Sequence, residues 1–474
     1  CSSSDKREDS AGSGAAAGAH KTAGPGNGRV LIILDEAGRL ASVDPKTGEK
    51  REIPDVFVER GGLAVHSSGL ALFQAKGKPG EDGEEGEPDG RLVIVDANGF
   101  TATPTVGLKS RGGEYGDGAG DPEELPIMAA LREAGGGKRF AMIPTPAGTL
   151  LVNLEKRSAV DLTEMLGAPG KFGSPARFSA DERWGMISLP EKGLVLFSTD
   201  DPAKHTVIDG ASLGFSADSR LLFVDNAKED GPGKVWGVPV EGSSEVVFAE
   251  GDIRFRGAVG NSVVIAEPNA LYLSNKPGDR RPIDMPYNRE ENRDTFVGPI
   301  GVGSRGFVVS GEREDRRWAL VDENTGKVTP LPALGKLDIA QVTDDQVLFG
   351  GGFNEEASVP TAFAVLDVAG GKVTPVATWD PAGTQGAFPV PAPHGRAVAL
   401  SYGRDSEPGA HVKVITPGSA TVDLDGAFAG WAPDGSAVLL VRVAGERTSM
   451  IVVDLATKKE TDLGPGFGAV WTTS

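Results

Sequence analysis

The chain has 474 residues, and its 67 Asp and Glu residues outnumber its 48 Lys and Arg residues, which gives a formal net charge of −19 at pH 7. Negative charge in this excess repels the phosphates of nucleic acids, so no nucleic-acid partner is expected. The single cysteine leaves no intrachain disulfide to form, so a hydrophobic core must stabilise the fold.

The one cysteine is Cys1, and three serines follow it directly. This start resembles the mature N-terminus of bacterial lipoproteins, in which a signal peptide has been removed just before a lipidated cysteine. The resemblance implies a thioether-linked diacylglycerol on Cys1, which anchors the protein in the lipid bilayer at the extracytoplasmic face of the cell membrane. The alternative is that residue 1 is an arbitrary starting point without a lipid. The Gly-, Ala- and Asp-rich composition is similar to that of actinobacterial proteins.

Residues 1–27 contain no large apolar side chain, and the first such residue is Val30. A segment of this kind cannot bury enough surface to offset the entropy of ordering, so we expect a flexible tether over residues 1–27 and one folded domain over residues 28–474. No run of about 18 apolar residues occurs, so no segment is expected to span a bilayer as a helix.

From Arg29 onward the sequence alternates between short apolar strands and turns, and the two helical candidates, 125–132 and 161–166, are short. One repeated motif is a strand that ends in Asp, followed by a turn and a second strand with Lys or Thr. Because Asp can accept hydrogen bonds from the amides that follow it and Gly supplies a positive φ, each copy predicts a β-hairpin. The copies are SVDPKTGEKREI from Ser42, IVDANGFTATP from Ile94, LVDENTGKVTPL from Leu320, VLDVAGGKVTPV from Val365 and VVDLATKKETDL from Val452.

A second motif is an aromatic residue, two small residues and Asp, followed by an apolar strand. It begins at Phe178, Phe215 and Trp431, with Asp181, Asp218 and Asp434 at its end. These segments resemble the repeats of TolB-type and WD40-like (PD40) β-propellers. The resemblance implies four-stranded blades, in which the aromatic residue packs between blades and Asp opens the turn between the first two strands.

The spacing of the motifs predicts an all-β propeller of ten repeat units, which start near residues 29, 59, 125, 172, 211, 251, 296, 336, 386 and 427. Eight blades with embellished loops, or two smaller propellers, are the alternatives, because propellers usually have about four to eight blades. The first unit lacks its innermost strand, and residues 467–471 are left over as a lone strand. We therefore expect the C-terminal strand to complete the first blade and close the ring.

The long charged insertions all fall between the second and third strands of their units, at 76–90, 227–233, 311–317, 351–360 and 402–410. In a propeller these loops emerge on the face where the blades are connected. One elaborated face indicates a recognition surface, although exposed hairpins also tolerate insertions without a function. The candidate binding residues on this face are Glu312, Arg313, Asp315, Glu355, Glu356, Arg404 and Asp405.

Residues that could carry chemistry are sparse. The five histidines are scattered without metal-ligand spacing, and neither a haem-attachment motif nor a nucleophile-elbow motif is present, so no cofactor and no metal site is expected. The acidic segments 80–89 and 114–124 would suit Ca²⁺, but neither has the register of a calcium-binding loop.

Two functions are therefore compatible with the sequence. The first is a lipid-anchored binding or scaffold module that presents its loop-rich face to an envelope protein, a peptide or a cell-wall polymer, without catalytic residues. The alternative is a propeller enzyme of the lyase, glycosidase or lactonase type, with a site at the central channel. Its candidate channel residues, on innermost strands, are Arg177, Asp181, Arg254 and Arg256.

Overall fold

A computed structural model describes most of the chain from residue 28 to residue 472. The described residues are 28–65, 71–76, 78, 88–95, 139–145, 148–156, 158–169, 176–226, 232–242, 244–285, 296–299, 305–310, 317–331, 337–342, 346–351, 362–367, 372–378, 384–392, 397–404, 407–416, 421–444 and 447–472. The tether expected over residues 1–27, with Cys1, lies outside these ranges.

The fold is all-β, as expected. One short helix, α1 (Leu162–Met165), occurs in the described ranges, and it lies at the second predicted helical position. The Asp161 side chain caps it by accepting a hydrogen bond from the Glu164 amide at 2.9 Å. The described part of the chain contains no helix with the length and apolar character needed to cross a membrane.

Eight four-stranded blades in a propeller ring are formed by the described residues. The blade that we call the closing blade consists, in spatial order, of β37 (Gly468–Thr472), β1 (Arg29–Ile33), β2 (Arg39–Val43) and β3 (Lys50–Val65). In each of the other seven blades the strands follow one another along the chain, with every neighbouring pair antiparallel.

The first three of these seven blades contain β9 (Ala176–Phe178), β10 (Trp184–Leu189), β11 (Gly193–Ser198) and β12 (His205–Ile208); then β13 (Ala211–Phe215), β14 (Leu221–Asp225), β15 (Gly233–Pro239) and β16 (Val246–Gly251); then β17 (Arg254–Val259), β18 (Ser262–Glu267), β19 (Ala270–Ser274) and β20 (Arg281–Pro282).

The last four contain β21 (Phe296–Pro299), β22 (Arg305–Ser310), β23 (Arg317–Asp322) and β24 (Val328–Pro330); then β25 (Leu337–Val342), β26 (Gln346–Gly351), β27 (Ala362–Asp367) and β28 (Lys372–Thr378); then β29 (Thr384–Pro391), β30 (Val398–Arg404), β31 (Glu407–Ile415) and β32 (Val422–Asp425); then β33 (Ala427–Trp431), β34 (Ala437–Ala444), β35 (Arg447–Asp454) and β36 (Glu460–Pro465).

Two repeat units are not four-stranded blades among the described residues. In the second unit, β3 continues from the closing blade and pairs with β4 (Ala71–Lys76), which pairs with β5 (Pro88–Val95). The third consists of β6 (Phe140–Thr145), β7 (Gly148–Asn153) and β8 (Ser158–Asp161), and its expected first strand near residue 125 lies outside the described residues. The count of ten four-stranded units is therefore too high, and the eight-blade alternative is confirmed.

Apolar clusters hold neighbouring sheets together face to face. Phe73 of β4 is fully buried with Leu31 of β1, and Ile32 of β1 packs with Leu439 of β34 and Met450 of β35. Equivalent clusters join the β29–β32 blade to the β33–β36 blade and the β9–β12 blade to the β13–β16 blade. Each fully buried large apolar side chain contributes about 1.5–3 kcal/mol, so these junctions supply most of the stability.

The C-terminal strand closes the ring, as the sequence predicts. β37 pairs antiparallel with β1 over five residue pairs, from Arg29 with Thr472 to Ile33 with Gly468. The Thr472 hydroxyl also donates to the Arg29 carbonyl at 3.0 Å, and Trp471 packs in the cluster that joins the closing blade to the β33–β36 blade. The first strands β33 and β37 lie next to each other, as do β13 and β17, and β17 and β21, so first strands line the inside of the ring.

The Asp-containing hairpins form as expected wherever the structure describes them. Asp44 Oδ1 accepts hydrogen bonds from the amides of Lys46 and Thr47, at 2.8 and 3.2 Å. Asp322 and Asp454 make the same contact with the amide and hydroxyl of the Thr three residues later. The Thr457 hydroxyl and amide lower the pKa of Asp454, despite a smaller opposing effect of burial.

The aromatic motif also has its predicted role. Ser179 and Ser216 each donate through Oγ to the Asp two residues later, at 2.7 Å. Phe178, Phe215 and Trp431 pack in the clusters between blades, and Trp431 donates from Nε1 to a carbonyl of the preceding blade at 3.0 Å. The Asp residues therefore open the turn and the aromatic residues join the blades.

One end of the ring is connected by hydrogen bonds between the turns of successive blades. Ser219 Oγ accepts from the Asp181 amide at 3.0 Å, and Asn261 Oδ1 accepts from the Asp218 amide at 2.8 Å. The buried Glu323 carboxylate in turn accepts from the Asn261 amide at 2.7 Å. These turns join first to second strands and third to fourth strands, so we call this end the turn face and the opposite end, with the remaining connections, the loop face.

Removal of residues 468–474 is expected to lower the Tm by several degrees and to promote aggregation, because it leaves the β1 edge unpaired and removes the buried Trp471 side chain. Thermal unfolding and light scattering measure both effects. Deletion of residues 473 and 474 alone is the control, since it leaves β37 intact. Equal Tm values for the two deletions would contradict the closure.

Lys458 has a φ of +58° at the turn position that Gly48 and Gly326 occupy in the equivalent hairpins. Lys458→Gly is expected to raise the free energy of unfolding by about 0.5–1 kcal/mol, because Gly adopts this conformation without the cost paid by other residues. Urea denaturation measures the change.

Two alanine variants serve as controls for the Lys458 prediction. A Cβ at Gly48 meets nothing within 4 Å, whereas a Cβ at Gly326 would lie 2.3 Å from the Pro282 carbonyl oxygen. Gly48→Ala should therefore cost about 1 kcal/mol through φ alone, and Gly326→Ala should cost more. A loss of stability in Lys458→Gly would show that the positive φ of Lys458 does not destabilise the protein.

Candidate functional site

The loop face is the first candidate site. The strands that flank the insertions are described, and each insertion is at the connection between the second and third strands of its repeat unit: β4 and β5, β14 and β15, β22 and β23, β26 and β27, and β30 and β31. Glu312, Arg313, Asp315, Glu355, Glu356 and Asp405 lie outside the described residues, so their role in binding stays a prediction.

Arg404 is the candidate of this set that the structure describes. It is the last residue of β30, and it pairs with Glu407 at the start of β31. The insertion expected over 402–410 is therefore largely a continuation of two paired strands around residues 405 and 406. Sequence analysis missed this pairing because Gly403 and Pro408 indicate a loop.

Asp225 is a titratable group at the loop face that the sequence analysis did not select. It ends β14, directly before the insertion at 227–233, and burial raises the pKa of its carboxyl group. No hydrogen bond or ion pair connects this carboxylate to the described residues. An acid that is difficult to ionise beside a charged loop is a candidate for ligand contact.

The inside of the ring is the second candidate site. Arg177 lies on β9, and Arg254 and Arg256 lie on β17, which are the first strands of their blades. Their predicted location on innermost strands is therefore confirmed. Arg177 is exposed, and Arg254 and Arg256 are half-buried.

Gly214 lies between these arginines, on the first strand β13 of the intervening blade. Its φ is +116°, and a Cβ built on it would lie 3.3 Å from Nη1 of Arg177. The Arg177 guanidinium therefore extends across the next blade at the one position where that strand has no side chain. Sequence analysis missed this contact, because no local pattern relates residue 177 to residue 214.

Asp181, the fourth proposed channel residue, lies in the turn between β9 and β10 on the turn face. Its Oδ1 accepts from the Ser179 hydroxyl at 2.7 Å and from the Arg183 amide at 3.1 Å. The prediction that Asp181 lies in the channel is therefore wrong, and its hydrogen bonds in the turn explain why Asp occurs at this position.

Metal ligands do not converge within the described ranges. These residues contain no group of three or more His, Cys, Asp or Glu side chains that could hold a metal ion. His411 is buried with Nδ1 3.2 Å from Asp425 Oδ1, and its ring packs on Tyr402 at a centroid distance of 5.6 Å. The acidic segments proposed for Ca²⁺ lie almost entirely outside the described residues, so that expectation stays untested.

Comparison with known proteins finds similar solved structures but no family. No protein-family model and no curated protein sequence matches the chain. Similar solved structures include dipeptidyl peptidase 4 from Porphyromonas gingivalis, with 9% identity over 87% of this chain and 60% of that chain, at a TM-score of 0.47. An oligogalacturonate lyase from Vibrio parahaemolyticus is 15% identical over 59% of this chain and 86% of that chain, at a TM-score of 0.35.

The Dos1 propeller is 13% identical over 65% of this chain and 88% of that chain, with a TM-score of 0.34. Some of these proteins are enzymes, but likeness at TM-scores under 0.5 carries no argument about this chain.

Asp225→Asn is expected to stabilise the protein at pH 7 and to leave its stability unchanged at about pH 3. A raised native pKa means that the unfolded chain ionises first as pH rises, so the native state loses stability above the unfolded pKa of about 3.9. Urea denaturation at both pH values measures the difference. Asp209→Asn, at an exposed position nearby, is the control. Equal stabilisation at both pH values would contradict the burial effect.

Proposed function

We propose that this chain is a membrane-tethered binding protein whose loop face recognises a positively charged partner. The observation that carries the proposal is the charge of the five insertions, which together contain 15 acidic and seven basic residues. The second and third strands that flank all five insertions end on the loop face.

The physical basis is electrostatic complementarity. Clustered charge of one sign raises the association rate of a partner of the opposite sign and repels partners of the same sign. An acidic loop face therefore favours an envelope protein or peptide with a basic surface over an anionic polymer. Half-buried Asp225, just before one insertion, adds a carboxyl group whose ionisation a nearby partner cation would promote.

The rigid ring supports this role. The closure of β37 on β1 and the turn-to-turn hydrogen bonds fix the strands, so the insertions start from defined positions. Recognition residues are commonly held on loops in this way, with the scaffold providing position and the loops providing chemistry.

The tether belongs to the same proposal. Residues 1–27 would connect a lipidated Cys1 to the first strand at Arg29. Mass spectrometry of the native N-terminal peptide tests this part independently, because a diacylglycerol adds a defined mass to Cys1. An unmodified Cys1 on the native protein would remove the membrane attachment and leave the binding proposal standing.

The binding proposal is tested with an oligolysine peptide as the probe and with variants that neutralise five acidic residues on one face. The loop-face variant carries Glu312→Gln, Glu314→Gln, Asp315→Asn, Glu355→Gln and Glu356→Gln. It is expected to bind the peptide about tenfold more weakly than the unmodified protein at low salt, because five attractive charges are lost. Surface plasmon resonance over a salt series measures the affinity.

The matched control neutralises five acidic residues outside the loop face: Glu49, Glu52, Glu155, Glu241 and Glu245. Their side chains are between 50% and 65% exposed, so their substitution changes the net charge by the same amount without disturbing the core. This variant should bind the peptide within about twofold of the unmodified protein. Equal weakening in both variants would show that only net charge matters, and it would overturn the proposed recognition face.

A further inference from the structure

We propose that the inside of the ring, at strands β9, β13 and β17, is a second binding site, which takes a small ligand with carboxylate or phosphate oxygens. This site differs from the loop face in position and in charge, and it does not depend on the function proposed above. Its residues are Arg177, Gly214, Arg254 and Arg256.

The distribution of charge is the first argument. The first strands of the eight four-stranded blades, all in described residues, contain three arginines and one acidic residue, Asp338. In the whole chain the acidic residues are in excess, at 67 to 48. The three arginines, moreover, are confined to two blades separated by one other, so the inside of the ring has a basic sector within an acidic protein.

The strand geometry in this sector is the second argument. β13 has a bulge between Ser212 and Gly214, and β17 has a bulge between Phe255 and Gly257, which leaves Arg256 outside the regular pairing with β18. A bulge redirects the side chain at its centre and is common next to binding sites. The direction of the Arg256 side chain is therefore set by the bulge and not by the regular alternation of side chains along β17.

The missing side chain at Gly214 is the third argument. Arg177 Nη1 would lie 3.3 Å from a Cβ at this position, so a larger residue would press against the guanidinium. The guanidinium of the β9–β12 blade thus lies over β13, and the next blade begins with β17, which contains Arg254 and Arg256. Within β17, Phe255 packs in an apolar cluster with Phe223 and Ile265, and this packing holds the backbone between Arg254 and Arg256.

The chemistry of arginine selects the ligand class. A guanidinium presents its N–H donors in a planar fork that fits the paired oxygens of a carboxylate or a phosphate, and it stays charged at every physiological pH. The acidic exterior repels long polyanions, so a small anion is the ligand that can reach the inside of the ring.

The test is isothermal titration calorimetry with inorganic phosphate and with citrate as separate probes, on the full chain. At least one probe is expected to bind, and the probe that binds identifies phosphate or polycarboxylate as the preferred chemistry. Arg177→Gln should weaken this binding about tenfold, as expected for the loss of a charge-assisted hydrogen bond. Arg256→Gln should weaken it by a similar factor, and Arg256→Lys, which keeps the charge, should recover part of the loss.

Arg220→Gln is the matched control. Arg220 lies in the β13–β14 turn on the turn face, and its side chain is 84% exposed, so this variant loses the same charge outside the proposed site. It should bind within about twofold of the unmodified protein. Arg177 is also exposed, so Arg177→Gln is expected to fold even where Arg256→Gln does not.

Binding of neither probe, or equal weakening in Arg177→Gln and Arg220→Gln, would overturn the site. The five-residue loop-face variant should bind the small anion at least as well as the unmodified protein, since it removes only acidic residues. Failure of the loop-face proposal and failure of this one therefore give different results.

Discussion

The pairing of β37 with β1 holds the ring closed. It joins residues that are far apart in sequence, from Arg29 with Thr472, which are 443 positions apart, to Ile33 with Gly468. Without it, the closing blade lacks its first strand and two sheet edges face water. With it, the positions of the strands are fixed around the ring, and so are the strands that flank the candidate sites on the loop face and on the inside.

Local turn chemistry explains why much of the fold could be predicted from the sequence. Asp44, Asp322 and Asp454 each bond to amides two or three residues ahead, so a short window of sequence contains the whole interaction. The starting positions of the repeat units followed from these turns, since strands of similar length connect them. The leftover C-terminal strand predicted the closure by the same reasoning.

Contacts between distant residues could not be predicted in this way. Glu323 accepts a hydrogen bond from the Asn261 amide, 62 residues earlier in the chain, and the sequence around either residue contains no sign of the other. The approach of Arg177 to Gly214 likewise depends on how two blades pack. The number of blades was overestimated for a similar reason. The sequence predicted a break between the first two units, but the long strand β3 continues from the closing blade into the next sheet.

Charge is separated in this molecule by topology. The five insertions between second and third strands contain 15 acidic and seven basic residues, whereas the first strands of the four-stranded blades contain three arginines and one acidic residue. The two proposed sites therefore differ in the sign of their charged residues. Under these proposals a basic partner and a small anion would bind to different parts of the chain.

The proposed recognition by the loop face is tested by amine-reactive crosslinking in the native membrane, followed by mass spectrometry, because both the insertions and the turns on the opposite face contain lysines. Partner peptides are expected on Lys76, Lys78 or Lys228, which lie in the insertions. Partner peptides attached instead to Lys46, Lys327 or Lys458, in the turns on the opposite face, would contradict it.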